Sequence, residues 1–552
     1  MPATKARQQQ TFNISEVAGR LNVSDATVRN WIKTGYLATA GNNLIDADSL
    51  ARFELKVVGV EKLNKRANKS QLDRHDHHSV QAEFGKHIAK LDAAGLDAAG
   101  DEYERALSNS YRNREGIYYT PQSVIDDFFK HPLKITHETK FLDPCCGSGN
   151  FLVKAAQQGV EPDNLYGIDT DPVAVAICRS RIHKLTGVMP DNIVCGDFLQ
   201  HSITDHQLPE FDIIYTNPPW GKKIPINLKR TFERHMGSDP DRIDMNKRST
   251  DTSALFLYAC LEKLNDDGHI GFLMPDSFFN IAAFIDARAT LLELQLLRIT
   301  DYGKPFKSLL TGATGFIARK TAKPDSKHLI ECYSGKQYHQ RLQSSFRTNP
   351  KTIINHRVST TSAQVIEHLY SVNHISLQSN ARWALGIVTG NNKKHLSTTQ
   401  DENLIPVHKG CDISAAGLAA ATHFMTKDFS QFQQVASGDI YNANEKIVYK
   451  FISNNLCFYF DTCQSVFLNS ANMFVLDRSF PVDHSQLVWL MNTDLMNWLF
   501  KNLFATHKVL RSDLELLPVF HEYLSGNAKY SEAGLQHYLG IEQVNGSYRL
   551  AK

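Results

Sequence analysis

Short apolar runs recur along residues 139–320, at Phe141-Leu142, Leu165-Tyr166-Gly167-Ile168, Ile193-Val194, Phe211 to Tyr215 and Ile270-Gly271-Phe272-Leu273-Met274. Several are followed by stretches whose apolar positions have helical spacing, such as Val173 to Leu185 and Ser253 to Leu264. Strand-length runs alternating with helix-length patterns predict βαβ units, and so an α/β fold with a mostly parallel sheet. Upstream, Ile14 to Leu21 reads as a helix, Asn22-Val23-Ser24 as a turn and Asp25 to Lys33 as a second helix capped by Ser24. There Val28 and Ile32 face inward at i, i+4, which leaves Thr27, Arg29, Asn30 and Lys33 on the polar face. Lys62 to Gly100 has the polar, Ala/Asp/Lys-rich composition of a linker with one or two helices. Gly116 to Pro121 opens a new unit, in which Pro121 starts a helix whose apolar face is Val124, Ile125, Phe128 and Phe129. After about residue 325 the pattern becomes irregular, with strands, turns and short helices. The expected organisation is 1–60, 61–111 (linker), 112–324 (α/β) and 325–552 (α+β).

A chain of 552 residues is too long for one core. Its 42% hydrophobic and 21% charged residues are ordinary for a globular protein, and neither a bilayer-spanning run nor a signal peptide is evident. No membrane association is expected. A net charge of +2 makes no global case for nucleic acid and none against it, since local patches decide. The nine cysteines form no CxxC pair, and Cys145-Cys146 are adjacent, so reduced thiols in a cytoplasmic protein of prokaryotic or phage origin and no metal are expected. The cluster His75, His77 and His78 reads as solvated linker.

Chemistry concentrates at the strand ends. Phe141 to Leu152 is strand, glycine loop, helix: Asp143, Pro144, Cys146, Gly147, Gly149 and Phe151 are candidates for holding a ligand at the helix N-terminus. The Gly-Lys-Ser/Thr ending of a phosphate loop and the GxGxxG of a dinucleotide site are both missing. Asp143 would suit a positively charged ligand. Asp169, after the second strand, is placed to accept from ribose hydroxyls. After the third, Asp197 would accept from an adenine amino group and Phe198 would pack on its face. The fourth run ends in Asn217-Pro218-Pro219-Trp220. Two prolines stiffen the turn, which presents an amide, a backbone carbonyl and a flat ring to a planar molecule bearing an exocyclic NH2.

This order resembles the S-adenosylmethionine-dependent methyltransferases with their Rossmann-like core. With Asn217 to Trp220 it resembles the adenine-N6 DNA methyltransferases of the gamma arrangement, in which the cofactor motif precedes the catalytic one. The resemblance is strong over residues 112–320 and implies cofactor contacts from Thr120 and Pro121. Cys145-Cys146, where a small residue often precedes the last cysteine, and Trp220, where Tyr or Phe is commoner, are small departures. It also implies that the Asn217 oxygen and Pro218 carbonyl accept both N6 hydrogens of a flipped-out adenine, with Trp220 stacked on the base. Phe306 either supplies the opposite face or is a core residue. Residues 11–57 resemble the helix-turn-helix of the MerR and excisionase families, which would contact DNA or dock on another domain.

Four C-terminal segments resemble type II target-recognition domains: Gly386 to Lys394, Pro406 to Gly410, Lys446 to Phe451 and Lys508 to Pro518. Lys393, Lys409 and Arg511 are the candidate DNA contacts there, with Lys394 and Lys450 beside them. The resulting expectation is a site-specific adenine methyltransferase acting as a monomer on double-stranded DNA, paired with a separately encoded restriction endonuclease. Two other readings stay open: a protein (glutamine) or RNA methyltransferase, and a DNA-binding regulator with an inert fold.

Overall fold

The computed structural model describes residues 118–200, 208–221, 251–306 and 311–551, apart from 323, 326, 415 and 527–528, together with parts of 11–50 and 80–107. Its centre is a nine-stranded sheet of β1 (Phe141–Asp143), β2 (Leu165–Asp169), β3 (Ile193–Cys195), β4 (Phe211–Thr216), β5 (Leu264–Pro275), β6 (Gln295–Asp301), β7 (Ala313–Arg319), β8 (Leu329–Ser334) and β9 (Gln337–Leu342). The order is β9-β8-β6-β7-β5-β4-β1-β2-β3. Pairing is parallel from β3 through β5 and between β6 and β8, whereas β7 runs antiparallel between β5 and β6 and β9 runs antiparallel to β8. The sheet is thus mixed. It also continues past residue 324: the change of pattern there marks the end of the parallel rhythm, and β8 and β9 still belong to the sheet.

Both faces are covered, which is why these strands read as unbroken apolar runs. Phe141, Ile213, Tyr215 and Leu273 point into one core with Phe128, Phe151 and Leu152. Leu142, Ile214, Ile270, Phe272 and Met274 point into the other with Leu255, Phe256 and Phe316. The helices of this region are α3 (Gln122–Phe128), α4 (Asn150–Gln157), α5 (Pro172–Thr186), α6 (Thr252–Glu262) and α7 (Ile285–Glu293). Pro121 is the N-cap residue of α3. α5 starts on Pro172 with Asp171 as its side-chain cap and stops at Gly187 in the left-handed region at φ 79°.

Of the expected linker, α2 (Ala93–Ala106) is part of the fold: Ala99, Tyr103 and Leu107 pack against Val173, Ala174 and Ile177 of α5. Further upstream α1 (Ile14–Leu21) is present, and Val28 is buried with Val17, Ala18, Leu37, Ile45 and Leu50 while Ile32 packs against them. Ser24, Thr27, Asn30 and Lys33, on which the helix-turn-helix reading depends, lie outside the described residues, as do His75, His77 and His78.

The C-terminal part is α+β. A four-stranded antiparallel sheet places Ala381–Leu385 beside Ala471–Leu476, then Lys446–Lys450, then Phe458–Asp461. Its strands and the helices His484–Met491 and Asp494–Phe504 share a core that includes Ile447, Tyr449, Phe474, Leu487, Leu499 and Phe520. This part is tied to the large sheet by polar contacts: Lys351 Nζ pairs with Asp513 at 2.7 Å, Asn280 Nδ2 donates to the Phe504 carbonyl at 2.8 Å, and Arg357 bridges Asp301 and Asp276 at 2.6 and 2.9 Å. Among the described residues no helix is long and apolar enough to cross a membrane.

Candidate active site

The C-terminal ends of β1, β2 and β4 converge, as they must in an open parallel sheet where the strand order reverses. After β1 the loop Pro144 to Gly149 turns with Gly147 at φ 49° and Gly149 at φ 87°, conformations that favour glycine. A Cβ on Gly147 would stand 2.8 Å from the Tyr119 ring, and one on Gly149 would collide with Cys178 Sγ. Neighbouring strands hold the loop. Cys146 N–H donates to the Ile168 carbonyl at 3.1 Å and Gly147 N–H donates to Asp169 Oδ2 at 2.8 Å. Asn150 Nδ2 reaches back to the Thr120 carbonyl at 2.9 Å, so Thr120 and Pro121 border the same loop.

Four carboxylates surround it. Asp143 is buried and accepts from Thr216 Oγ1 at 2.8 Å and from Cys145 N–H at 3.3 Å. Asp169 accepts from Gly147 N–H and, at 2.9 Å, from Asp171 N–H. Asp171 caps α5 and accepts from Tyr103 OH at 2.6 Å. Asp197 accepts from Leu199 N–H at 3.0 Å. The donors that reach Asp143 and Asp169 here are all neutral. Burial pushes the Asp143 carboxyl up to about 7 and that of Asp169 up to about 6. Such a donor set fits a cationic ligand, which would favour the ionised carboxylates.

At the end of β4, Asn217 Nδ2 donates to the Tyr118 carbonyl at 2.8 Å, which fixes the amide so that Oδ1 faces away from that carbonyl. Oδ1 is buried and has no hydrogen-bond partner. A buried acceptor without a donor costs about 1–3 kcal/mol, so in a native fold it calls for an explanation such as a bound water or a functional role. Pro218 is buried, and Trp220 is half-buried with its Nε1–H on the Leu273 carbonyl at 3.2 Å. Phe306 meets Trp220 edge-on, with centroids 5.5 Å apart at 82°, and leans on Tyr118 at 5.7 Å. Two rings gripping a base between them lie parallel and roughly 7 Å apart. Phe306 therefore borders the site and does not form the second wall of a slot in this structure.

Two other expected contacts belong to the core. The Phe151 ring is buried between Phe128 and Tyr215 at 5.4 and 6.1 Å, and the Phe198 ring is buried and stacked on Phe256 at 5.8 Å. Each follows a turn into an element whose inward face needed filling, a demand the spacing alone did not reveal. Conversely, Cys145 escaped notice as more than a thiol: its Sγ lies 2.8 Å from Thr216 Oγ1 and donates to the Asn217 carbonyl at 3.4 Å, lacing the glycine loop to the end of β4. Tyr118 was invisible because it acts through its backbone carbonyl. Asp251 takes the Gly221 N–H at 2.9 Å just beyond Trp220 while capping α6.

The C-terminal candidates are spread out. Lys393 is exposed in the short helix Asn392–His395. Lys409 Nζ lies 2.9 Å from His423 Nε2. Arg511 is exposed, its Nε donates to Glu515 at 2.7 Å, and its guanidinium sits 5.6 Å from the centroid of the Trp383 ring.

Residues 94–299 match the N-6 DNA methylase family, and residues 405–519 match the TaqI-like C-terminal specificity domain. The chain is 44% identical over 413 residues to the type II methyltransferase M.VspI of Vibrio sp. (strain 343), covering 75% of this chain and 98% of that one. It is 24% identical over 199 residues to the modification methylase CviBIII of Paramecium bursaria Chlorella virus NC1A, covering 36% of this chain and 47% of that one. Among solved structures, the type IIL restriction-modification enzyme MmeI in complex with DNA aligns with 78% of this chain and 66% of its own at a TM-score of 0.48 and 13% identity.

Proposed function

This chain belongs to the N-6 DNA methylases of type II restriction–modification kind, and on that premise we propose that it transfers a methyl group from S-adenosylmethionine to N6 of an adenine flipped out of double-stranded DNA. The observation that carries this reading is the buried, partnerless Oδ1 of Asn217 beside a carboxylate-lined glycine loop. When bound, the cofactor supplies a methyl group on a sulfonium centre that needs no further activation. Asp143 and Asp169 would hold its positive charge and ribose, with Asp197 toward its adenine and Thr120, Pro121, Pro144 and Cys146 bordering it.

The target amine is a poor nucleophile because its lone pair is delocalised into the ring. Asn217 Oδ1 and the Pro218 carbonyl would accept its two hydrogens, so that positive charge developing on nitrogen meets acceptors already in place. Trp220 would stack on the extruded base through the face that Phe306 leaves open, a contact worth about 1–3 kcal/mol. The cofactor loop precedes Asn217 in the chain, which supports the gamma arrangement. A specificity-domain match on the same chain supports action as a monomer, and we propose a cognate endonuclease on a separate chain. The small N-terminal core with buried Val28 supports a packed helical unit, for which we propose the role of a helix-turn-helix that contacts DNA.

The test is transfer of tritiated methyl to DNA, RNA and protein, followed by methylation mapping of the DNA. We expect label at N6 of adenine in one sequence context; label on RNA or protein, or at cytosine, would refute the reading.

Two further outcomes follow from the carboxylates. Asp169→Ala removes an acceptor that also holds Gly147 N–H, and the loss of one charge-assisted bond is expected to weaken cofactor binding by about 10–100-fold. Calorimetry showing unchanged affinity would remove Asp169 from the site. The second outcome concerns pH. Burial raises the folded-state values of Asp143 and Asp169 above their unfolded ones, so their contribution to stability is present in acid and is lost as pH rises through about 6 to 7. A cationic ligand reverses the preference. Affinity for sinefungin should therefore climb as pH rises through that window, and Asp143→Asn should flatten its upper part. A flat wild-type profile would contradict the assignment of the cation to these groups.

A further inference from the structure

The peptide group joining Tyr118 to Tyr119 is hydrogen-bonded at both ends. Its carbonyl oxygen accepts from Asn217 Nδ2 at 2.8 Å, and its N–H donates to Glu104 Oε2 at 3.2 Å. Glu104 lies on α2, outside the sheet, and α2 is firmly seated. Tyr103 OH donates to Asp171, Tyr103 is fully buried against α5, and any side chain at position 100 would strike Ser148 Oγ in the glycine loop.

A carboxylate, a peptide and an amide thus form one hydrogen-bonded chain that ends at Asn217 Oδ1. Every link polarises in the same sense. Negative charge at Glu104 draws the Tyr119 amide proton and enriches the Tyr118 oxygen. That oxygen draws the Asn217 Nδ2 proton and enriches Oδ1. The atom at the end of the chain is the one placed to accept from the substrate amine as its nitrogen becomes positive.

We propose that Glu104 is a positioning residue for methyl transfer, acting through the Tyr118–Tyr119 peptide to hold and polarise the Asn217 amide. The proposal rests on Asn217 accepting from the target amine. Its effect belongs to the transition state, because the acceptor gains most when charge develops on nitrogen.

The test is single-turnover methyl transfer by the full-length wild type, Glu104→Gln and Glu104→Ala, with KM for DNA and Kd for sinefungin measured alongside. Glu104→Gln keeps an oxygen for the Tyr119 N–H and removes the charge. We expect its kcat to fall about tenfold while KM and Kd stay within about twofold, and Glu104→Ala to fall further. On an Asn217→Ala background, which has no amide to polarise, Glu104→Gln should cause no further loss. A Glu104→Gln enzyme at the wild-type rate beside a slow Glu104→Ala would make Glu104 a strut and overturn the proposal. A matching loss of sinefungin affinity would do the same. A wild type that methylates no adenine in DNA would sink the underlying functional reading, an outcome distinct from a normal wild type with a normal Glu104→Gln.

Discussion

Asn217→Ala is expected to lower methyl transfer by about 10²–10³-fold or more while leaving the affinity for sinefungin within about twofold. The split follows from where the side chain sits. The Asn217 side chain shares no hydrogen bond with Asp143 or Asp169, and its bond to the Tyr118 carbonyl orients the amide and leaves Oδ1 buried without a donor. An unsatisfied acceptor costs the folded protein about 1–3 kcal/mol, so its removal compensates in part for the lost bond to Tyr118. The melting temperature should accordingly move little. Loss of turnover with folding and cofactor binding intact separates an acceptor for the substrate from a structural amide. Near-normal turnover would show that the Pro218 carbonyl suffices alone; a large drop in stability would show that Asn217 belongs to the scaffold.

How much of this was legible in the chain depends on what each residue spends its side chain on. Asn217 to Trp220 stood out because consecutive prolines after an apolar run have few structural uses, and the structure does place an amide and an indole at the sheet's C-terminal edge. The carboxylates at 143, 169 and 197 stood out only together: an acid after a strand commonly caps the next helix, but three in order ahead of Asn217 form a more specific pattern. Phe151 and Phe198 pack in the core here, and an aromatic beside a functional motif looks identical in sequence whether it faces ligand or core. The hydrogen-bonded link from Glu104 through Tyr118 to Asn217 was not legible, since Tyr118 contributes its backbone carbonyl and Glu104 comes from a helix in a polar stretch. The sheet's extension past residue 324 was missed because Leu329–Ser334 buries only Ile330 and Cys332, and Gln337–Leu342 is mostly polar with only Arg341 buried, so both lack the run-of-apolar signature of the central strands. Arg511 pairs with Glu515 at i,i+4, a spacing the sequence shows, although whether the helix forms there to bring them together it does not.

Asp461→Ala is expected to destabilise the C-terminal part by about 3–5 kcal/mol. Asp461 and Lys446 face each other directly across the antiparallel strands Lys446–Lys450 and Phe458–Asp461, both with no exposed side-chain surface, at 2.8 Å. Both groups have further partners: Lys446 Nζ also donates to the Tyr441 carbonyl at 2.8 Å, and Asp461 accepts from Ser465 N–H at 2.9 Å and Ser465 Oγ at 2.8 Å. Truncating the acid leaves an ammonium buried with one carbonyl for company, and the cost is that of an uncompensated charge, not the net worth of the pair. The double variant Lys446→Met/Asp461→Leu removes both charges, and its cost should be far smaller, because apolar groups of similar volume need no partner. Chemical denaturation of the single and double variants measures the difference. A single variant costing less than about 1 kcal/mol would mean that water reaches the site. A double variant as damaging as the single would mean that the pair, which lies within residues 405–519, fixes the register on which the recognition surface is built.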